Sequence, residues 1–281
     1  MAFTPRPATR VLLLDGSPGA TTVLLLSAHH VLDRIDHVLY ADTGLYPASA
    51  ERYLKHLHAL CQQAGAELVR ADATELAERA WAESPSPLPL FTLARDGTAG
   101  RLPNACAGTQ LLALTDHLRS WGDEQPHEKV EVVLGLGAEY AHRVPRAATW
   151  PQRLRPDYPL FDLGWRDRDC VAFNHHHGIG VRGLACLGCP ERSDADWAEL
   201  RATDPGAWDE AVALDTAVRH HTTDTATNGM PPAQTGYLHH ACRPLGGIDL
   251  PPEQEGPVPG CLPRVCRGQR PGSFGNGGDH A

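Results

Sequence analysis

The sequence predicts an α/β protein built on a parallel sheet, followed by a helical segment that carries cysteines. In the first half, short apolar runs alternate with helical patterns, and the first two runs end in turns that contain glycine. The links between these elements are short, which is typical of βαβ units in a parallel sheet. Further along the chain, a C-x-x-C pair stands before two helical patterns with no strand pattern between them.

The elements are predicted in chain order from periodicity and from residues typical of helix ends. Pro47 lies near the first turn of one helix and Gly65 just past its end, as helix boundaries favour. We predict strands over residues 10–15, 36–40, 67–70 and 130–136. We predict helices over residues 21–32, 47–64, 74–82, 104–121 and 166–177, and two short helices across 194–220 that break near Asp204 and Pro205. Residues 83–103 and 137–163 read as irregular.

Composition narrows the class of protein. The net charge of −9 argues against a protein that coats nucleic acid, and makes a nucleic-acid partner unexpected. No apolar run reaches the ~18–20 residues of a membrane span, and the N-terminal residues do not form a secretory signal, so we expect a cytoplasmic protein without a membrane partner. Eight cysteines among 281 residues are too few for a disulfide scaffold, so clustered cysteines indicate metal binding or chemistry.

The turn after the first strand is a candidate anion site. Small residues allow close approach of a ligand, and free N–H groups at a helix start favour negative charge. Hydroxyls could add further donors. The candidate binding residues are Gly16, Ser17, Gly19, Thr21 and Thr22. The alternative is a tight strand-to-helix turn capped by a threonine, since the spacing fits neither a Walker P-loop nor G-x-G-x-x-G.

A second turn, Asp42-Thr43-Gly44, follows the second strand. Carboxyl ends of neighbouring parallel strands meet at one edge of a sheet, where open α/β proteins bind ligands. We therefore expect both turns to lie side by side, although Asp42 could instead cap local N–H groups. Glu139, His142 and Arg143 follow the last predicted strand at the same edge, and are candidates for substrate contact.

Several stretches of the chain resemble one family. They are GSPGATTVLLL (16–26), ADTGLYP (41–47), PLFTL-x-x-DG (89–97) with Cys106 after it, GLGAEYAHRV (135–144), YPLFDLG (158–164) and ACLGCPERSDADW (185–197). Together they cover roughly residues 10–250 and are similar to the PP-loop proteins of the adenine nucleotide α-hydrolase-like group. Within that group, the closest likeness is to the phosphoadenosine-phosphosulfate (PAPS) reductase-like proteins.

The resemblance implies a three-layer, HUP or Rossmann-like nucleotide-binding domain. We expect three parts: residues 1–180 as that domain, residues 181–250 as the cysteine-bearing helical segment, and residues 251–281 as a tail that is largely mobile because it is rich in glycine and proline. The expected small-molecule partner is ATP, another adenine nucleotide or a sulfonucleotide. A redox or sulfur-donor protein is a further expected partner.

The first turn departs from the family pattern, so its PP-loop is degenerate. Pro18 stands where a glycine is usual and removes one N–H donor, and Ala20 replaces a polar residue. Each lost donor to a charged phosphate would cost ~1.5–3 kcal/mol. These changes favour an alternative in which the chain is a non-catalytic nucleotide-binding or accessory protein that keeps the fold and has lost its phosphate cradle.

The cysteines are the candidate metal ligands. Cys186 and Cys189 flank Gly188 in a tight turn, and the resemblance adds Cys106 and one of Cys261 or Cys266. We predict a [4Fe–4S] cluster on these thiolates, with zinc as the runner-up and reduced, packed cysteines as the third interpretation. Cys61 and Cys170 fall within helical patterns and are expected in the core.

The resemblance implies sulfur-related chemistry, either sulfonucleotide reduction or sulfur transfer after adenylation. The chain would then be an oxidoreductase or an ATP-dependent sulfurtransferase, and the sequence assigns no catalytic residue. The alternatives are the accessory protein and a zinc-stabilised partner of a nucleic-acid-modifying system, which the acidic net charge disfavours.

Overall fold

The structure is a computed structural model of the 281-residue chain. It describes residues 9–82, 86–102, 105–124, 129–143, 153–179, 184–190, 192–221, 234–250, 261–262 and 265–266. The strands are β1 (Arg10–Leu13), β2 (His37–Asp42), β3 (Glu67–Asp72), β4 (Phe91–Ala94), β5 (Ala99–Arg101), β6 (Val130–Leu134), β7 (Leu154–Asp157), β8 (Gln234–Tyr237), β9 (Cys261–Leu262) and β10 (Val265–Cys266).

The helices are α1 (Pro18–Ala28), α2 (Ala50–Ala64), α3 (Glu75–Ala82), α4 (Ala105–Glu124), α5 (Pro159–Asp162), α6 (Asp167–His176), α7 (Asp194–Thr203) and α8 (Pro205–His221), with 3-10 turns at Ala138–Arg143 and Leu245–Gly247. None of the helices described here has the length and apolar character needed to cross a membrane.

Five parallel strands form the main sheet in the order β3-β2-β1-β6-β7. The chain runs outward from β1 to β3 and then returns to the other side of β1 for β6. The order therefore reverses between β1 and β6, and such a switch point leaves a crevice at the carboxyl ends of the two strands.

Alternate residues of each central strand face opposite helical layers. Leu12 of β1 packs in a cluster with residues of α1, α2 and α6. Val11 and Leu13 pack in a second cluster with Leu114 and Leu118 of α4. Because both faces of the sheet are covered, the strands read as nearly continuous apolar runs, as parallel sheets require. The predicted α/β, three-layer fold is confirmed.

A third core lies outside the sheet and joins the cysteine segment to the last helices. It contains Leu187, Trp197 and residues of α3 and α8, together with Leu238 after β8. α7 and α8 meet at Asp204, which confirms the predicted break. Asp204 accepts hydrogen bonds from the backbone of Ala207 (3.2 Å) and Ser49 (3.2 Å), so it fixes α8 to the start of α2.

The structure adds strands where the sequence predicted irregular chain. β4 and β5 form a hairpin within residues 83–103, and β4 also pairs antiparallel with β8. β7, in the range 137–163, is an edge strand that contains Pro156. Local sequence patterns could not predict these strands. β4 pairs with β8, which lies about 140 positions later in the chain. β7 lies at the edge of the sheet, where a proline is tolerated, although a local pattern excludes a strand that contains one.

Candidate functional site

The β1–α1 turn lies at the switch point and is closely packed by the sheet's own backbone. A Cβ atom on Gly19 would collide with the carbonyl oxygen of Gly135, just after β6. A Cβ on Gly135 would in turn meet the backbone of Gly19 and Ala20. Both glycines are therefore required by the contact between the α1 N-terminus and the end of β6.

The amide groups of this turn are used within the turn. Ser17, fully buried, caps α1, and its Oγ accepts a hydrogen bond from the Ala20 N–H (3.2 Å). The Ser17 N–H donates to Asp15 Oδ1 (2.9 Å), so a carboxylate already lies at the α1 N-terminus. α1 begins at Pro18, three residues before the predicted start, because Ser17 and not a threonine is its cap.

The two threonine hydroxyls contact neighbouring helices. Thr21 Oγ1 lies 2.8 Å from the hydroxyl of Tyr53 on α2. Thr22 Oγ1 donates to Asn174 Oδ1 on α6 (2.9 Å), and the Asn174 amide donates to the Pro18 carbonyl (2.9 Å). Burial is the main reason that the pKa of Tyr53 is raised. In this conformation, the hydroxyls predicted to meet phosphate are partners of α2 and α6.

The second turn closes β2 and is also internally bonded. Asp42 accepts a hydrogen bond from the Gly44 N–H (2.9 Å) and forms an ion pair with Arg70 (2.8 Å). Gly44 has a φ of +68°, a conformation that favours glycine. The hydroxyl of Thr43 is fully buried and accepts a hydrogen bond from the Leu45 N–H (3.3 Å).

The cysteine-bearing segment lies on both turns. Cys186 Sγ is 3.2 Å from Thr43 Oγ1, and the Leu187 N–H donates to the Leu45 carbonyl (2.6 Å). A side chain on Gly16, where φ is +74°, would collide with the backbone of Leu184. The β1 and β2 turns are therefore neighbours under one segment, and the segment brings a thiol to the edge of the sheet.

A tight turn holds Cys186 and Cys189. The Cys189 N–H donates to the Cys186 carbonyl (3.2 Å), and a Cβ on Gly188 would lie 2.8 Å from methyl groups of Leu88 and Leu214. Burial raises the pKa of both thiols, to about 12 for Cys189, where the charge of Cys186 adds to the effect. For Cys186, the Thr43 hydroxyl and Arg192 oppose that rise in pKa. A bound positive partner would favour the ionised form of these thiols, because it opposes the effect of burial.

Arg192 is a buried cation beside this turn. Its side chain donates to the carbonyls of Ala185 (2.9 Å) and Cys186 (3.3 Å), and its guanidinium carbon lies 5.3 Å from the Trp197 ring centre. Burial lowers its pKa, while the charge of Cys189 acts most strongly in the opposite direction. Burying a guanidinium is costly without negative neighbours, and the carboxylates of Asp196 and Glu199 also act on Arg192 in this sense. A thiolate-bound metal group of net negative charge would add to that compensation.

Cys106 is brought to the same core as the cysteine turn. The Cys106 side chain is 9% exposed, and its N–H donates a hydrogen bond to the Pro87 carbonyl. The next residue, Leu88, lies beside Gly188 in the cysteine turn. Cys261 and Cys266 occupy paired positions on β9 and β10, and their side chains lie outside the described part of the chain. Cys61 and Cys170 lie in the core beside α1, which confirms their predicted place.

The sulfur spacing bears on the kind of metal group. A tetrahedral zinc with Zn–S bonds of about 2.3 Å brings its sulfurs to about 3.8 Å from one another. Within the described ranges, the sulfurs of Cys106, Cys186 and Cys189 do not all lie within 4.8 Å of one another. A four-iron cluster accepts thiolates on separate irons and so fits a wider set.

The residues after β6 contact α6. Glu139 Oε1 accepts a hydrogen bond from the Asp167 N–H (2.9 Å), which places a carboxylate at the α6 N-terminus. His142 is exposed in the 3-10 turn. Arg143 ends that turn, and its side chain lies outside the described part of the chain. Substrate contact by these residues remains a prediction.

Two groups were missed by the sequence interpretation. Arg192 carries no local signal of burial, because nothing in the sequence shows that Trp197 folds back over it. The second group comprises Asp194, His239 and His240, whose ligand atoms lie within 4.8 Å of one another. His239 Nε2 contacts Asp194 (3.1 Å) and its Nδ1 accepts the Ala241 N–H (3.1 Å), so hydrogen bonds account for this buried ring.

The likeness of this chain to known proteins is weak. No family model and no curated protein matches the chain. Among solved structures, it is similar to the U34-tRNA thiolase NcsA from Methanococcus maripaludis with its [4Fe–4S] cluster. The match covers 77% of this chain and 72% of that chain, with 10% identity and a TM-score of 0.39. A likeness at this level assigns neither a family nor an activity.

Proposed function

We propose that this chain is a PP-loop-like protein that binds a metal group through cysteines and serves sulfur-related chemistry with an adenine nucleotide. An iron–sulfur cluster is the metal group that we favour. The observation that carries the proposal is the 3.2 Å contact between Cys186 Sγ and Thr43 Oγ1. That contact joins the C-x-x-C turn to the carboxyl edge of a parallel sheet, where α/β proteins bind ligands.

The proposed ligands are Cys106, Cys186 and Cys189, with Cys261 or Cys266 as the fourth. Support comes from the buried Arg192, which offsets the negative charge of bound thiolates, and from the shared core of Cys106 and Leu187. When bound, an iron–sulfur cluster supplies a site for electron transfer or sulfur handling. PAPS reductase-like chemistry is the finer form of this proposal, and zinc is the alternative metal.

Metal analysis of the protein after anaerobic purification tests the proposal. We expect about four irons per chain with broad visible absorption, and we expect both to disappear in the Cys186→Ser and Cys189→Ser variants. Cys61→Ser is the matched control, because Cys61 is buried in the α1 core and should leave the iron content unchanged. Wild-type protein with neither iron nor zinc would refute the metal site.

A second candidate function is favoured by the closed first turn. Ser17 and Ala20 amides bond within the turn, and Asp15 places a carboxylate where an anion would lie. Leu184 also covers Gly16. A chain with this turn would be a non-catalytic accessory protein, which keeps the fold and the cysteine turn but does not hold nucleotide phosphates.

Calorimetry with adenosine, ATP and a sulfonucleotide separates the two candidates. The enzyme proposal expects saturable heat with the phosphorylated compounds, stronger than with adenosine. The accessory role expects no heat with any of them at millimolar ligand. The protein should be loaded with its metal, since the cysteine segment contacts both turns. Binding of adenosine alone would support a crevice whose phosphate cradle is lost.

A further inference from the structure

Two buried residues, Thr43 and Arg192, lie beside the cysteine turn, and the proposed function assigns neither of them an effect on the electron affinity of the metal group. We infer that Thr43 and Arg192 are positioning residues that stabilise the reduced, more negative state of the metal group bound by Cys186 and Cys189. This inference rests on the proposed function, and it specifies how the chain sets the electron affinity of that group.

Thr43 is placed to donate a hydrogen bond to a ligand sulfur. Its Oγ1 accepts the Leu45 N–H at 3.3 Å, which leaves its own hydrogen available for another acceptor. Cys186 Sγ lies 3.2 Å away, and Thr43 is fully buried, so water does not compete. When Cys186 is a thiolate it has no proton to donate, so the Thr43 hydroxyl is then the donor of this contact.

Arg192 places a positive charge next to the backbone of the cysteine turn, where it acts on both thiols. Its two hydrogen bonds go to the Ala185 and Cys186 carbonyls, so it also holds the backbone of the turn. Packing against Trp197 restricts the guanidinium to this position. An arginine stays charged even when buried, whereas a lysine in the same place more readily loses its proton.

Hydrogen bonds and nearby charge are the groups that tune iron–sulfur potentials. Reduction adds one electron and therefore one negative charge to the metal group. A donor and a cation at its sulfur favour that state, and they also hold the thiolates against loss of metal. Removing either should lower the midpoint potential and speed metal release.

The test compares Thr43→Val and Arg192→Gln with wild type in an electrode titration of the anaerobic protein, in which the electrode supplies the electron. At a fixed potential, we expect the ratio of reduced to oxidised metal group to be about tenfold lower in each variant. For one electron, this corresponds to a midpoint potential lower by about 59 mV. Arg192→Lys should retain more of the potential at low pH than at high pH, because a lysine in this place supplies the charge only while it stays protonated.

Release of metal to a chelator gives a second readout that applies to iron or zinc. We expect release at least about tenfold faster in Thr43→Val and Arg192→Gln. The controls are Thr203→Val and Arg201→Gln on α7, where Thr203 bonds its own helix and Arg201 packs on Trp208. Metal binding with unchanged potential and release would overturn this inference alone, whereas wild-type protein without metal would overturn the proposed function with it.

Discussion

The β1–α1 turn and the cysteine turn lie at the same edge of the sheet, in contact through Leu184 and Gly16. Both are buried. In the first turn, Ser17 bonds Ala20, and both threonines contact neighbouring helices. In the second, two partly buried thiols lie beside a buried guanidinium whose hydrogen bonds go to backbone carbonyls.

The difference shows that burial alone does not mark a ligand site. A buried polar group is stable when it is hydrogen-bonded, and the first turn meets this condition with its own residues. The cysteine turn places a positive charge next to two thiols whose pKa burial raises. The proposed metal group would favour the ionised thiols, so we expect binding at the second turn.

The largest expected effect comes from separating the two turns. In Gly16→Ala, the new methyl group would meet the Leu184 backbone, and the φ of +74° adds strain. We expect the free energy of unfolding to fall by about 2–4 kcal/mol, with loss of metal, because Leu184 leads into the cysteine turn. Denaturant unfolding and metal analysis measure both.

Gly97→Ala is the matched control for this substitution. Gly97 has a φ of +84°, and a Cβ there has no atom within 4 Å, so only the backbone strain of about 1 kcal/mol applies. Equal destabilisation by the two variants would mean that the contact between Gly16 and Leu184 does not matter.

A smaller effect is expected from the polar contacts that close the first turn. Asn174→Leu removes the partners of the Thr22 hydroxyl and of the Pro18 carbonyl, and should destabilise the protein by about 1–3 kcal/mol. The double variant Thr22→Val with Asn174→Leu removes both the Thr22 hydroxyl and its Asn174 partner, so neither is left buried without the other. The fall in its free energy of unfolding should therefore be smaller than the sum of the falls in the two single variants. Strict additivity in urea unfolding would show that the two side chains are not coupled.

The α/β class and most elements of the first half could be predicted from the sequence. The parallel strands are continuous apolar runs, and helix ends carry local signals such as Gly65 after α2. The candidate turns were also found locally, because Gly16 lies shortly after the end of β1 and Asp42 is the last residue of β2. The C-x-x-C motif identified the cysteine turn for the same reason.

The tertiary structure alone decided which groups in these turns are free to bind. Hydroxyls of Thr21 and Thr22 were predicted at a phosphate, yet Tyr53 and Asn174 reach them from helices about 30 and 150 positions away. The burial of Arg192 and its approach to Cys186 depend in the same way on packing by α7. Local sequence determines backbone shape and chemical type, but hydrogen-bond partners are set by contacts between distant segments, which no local pattern records.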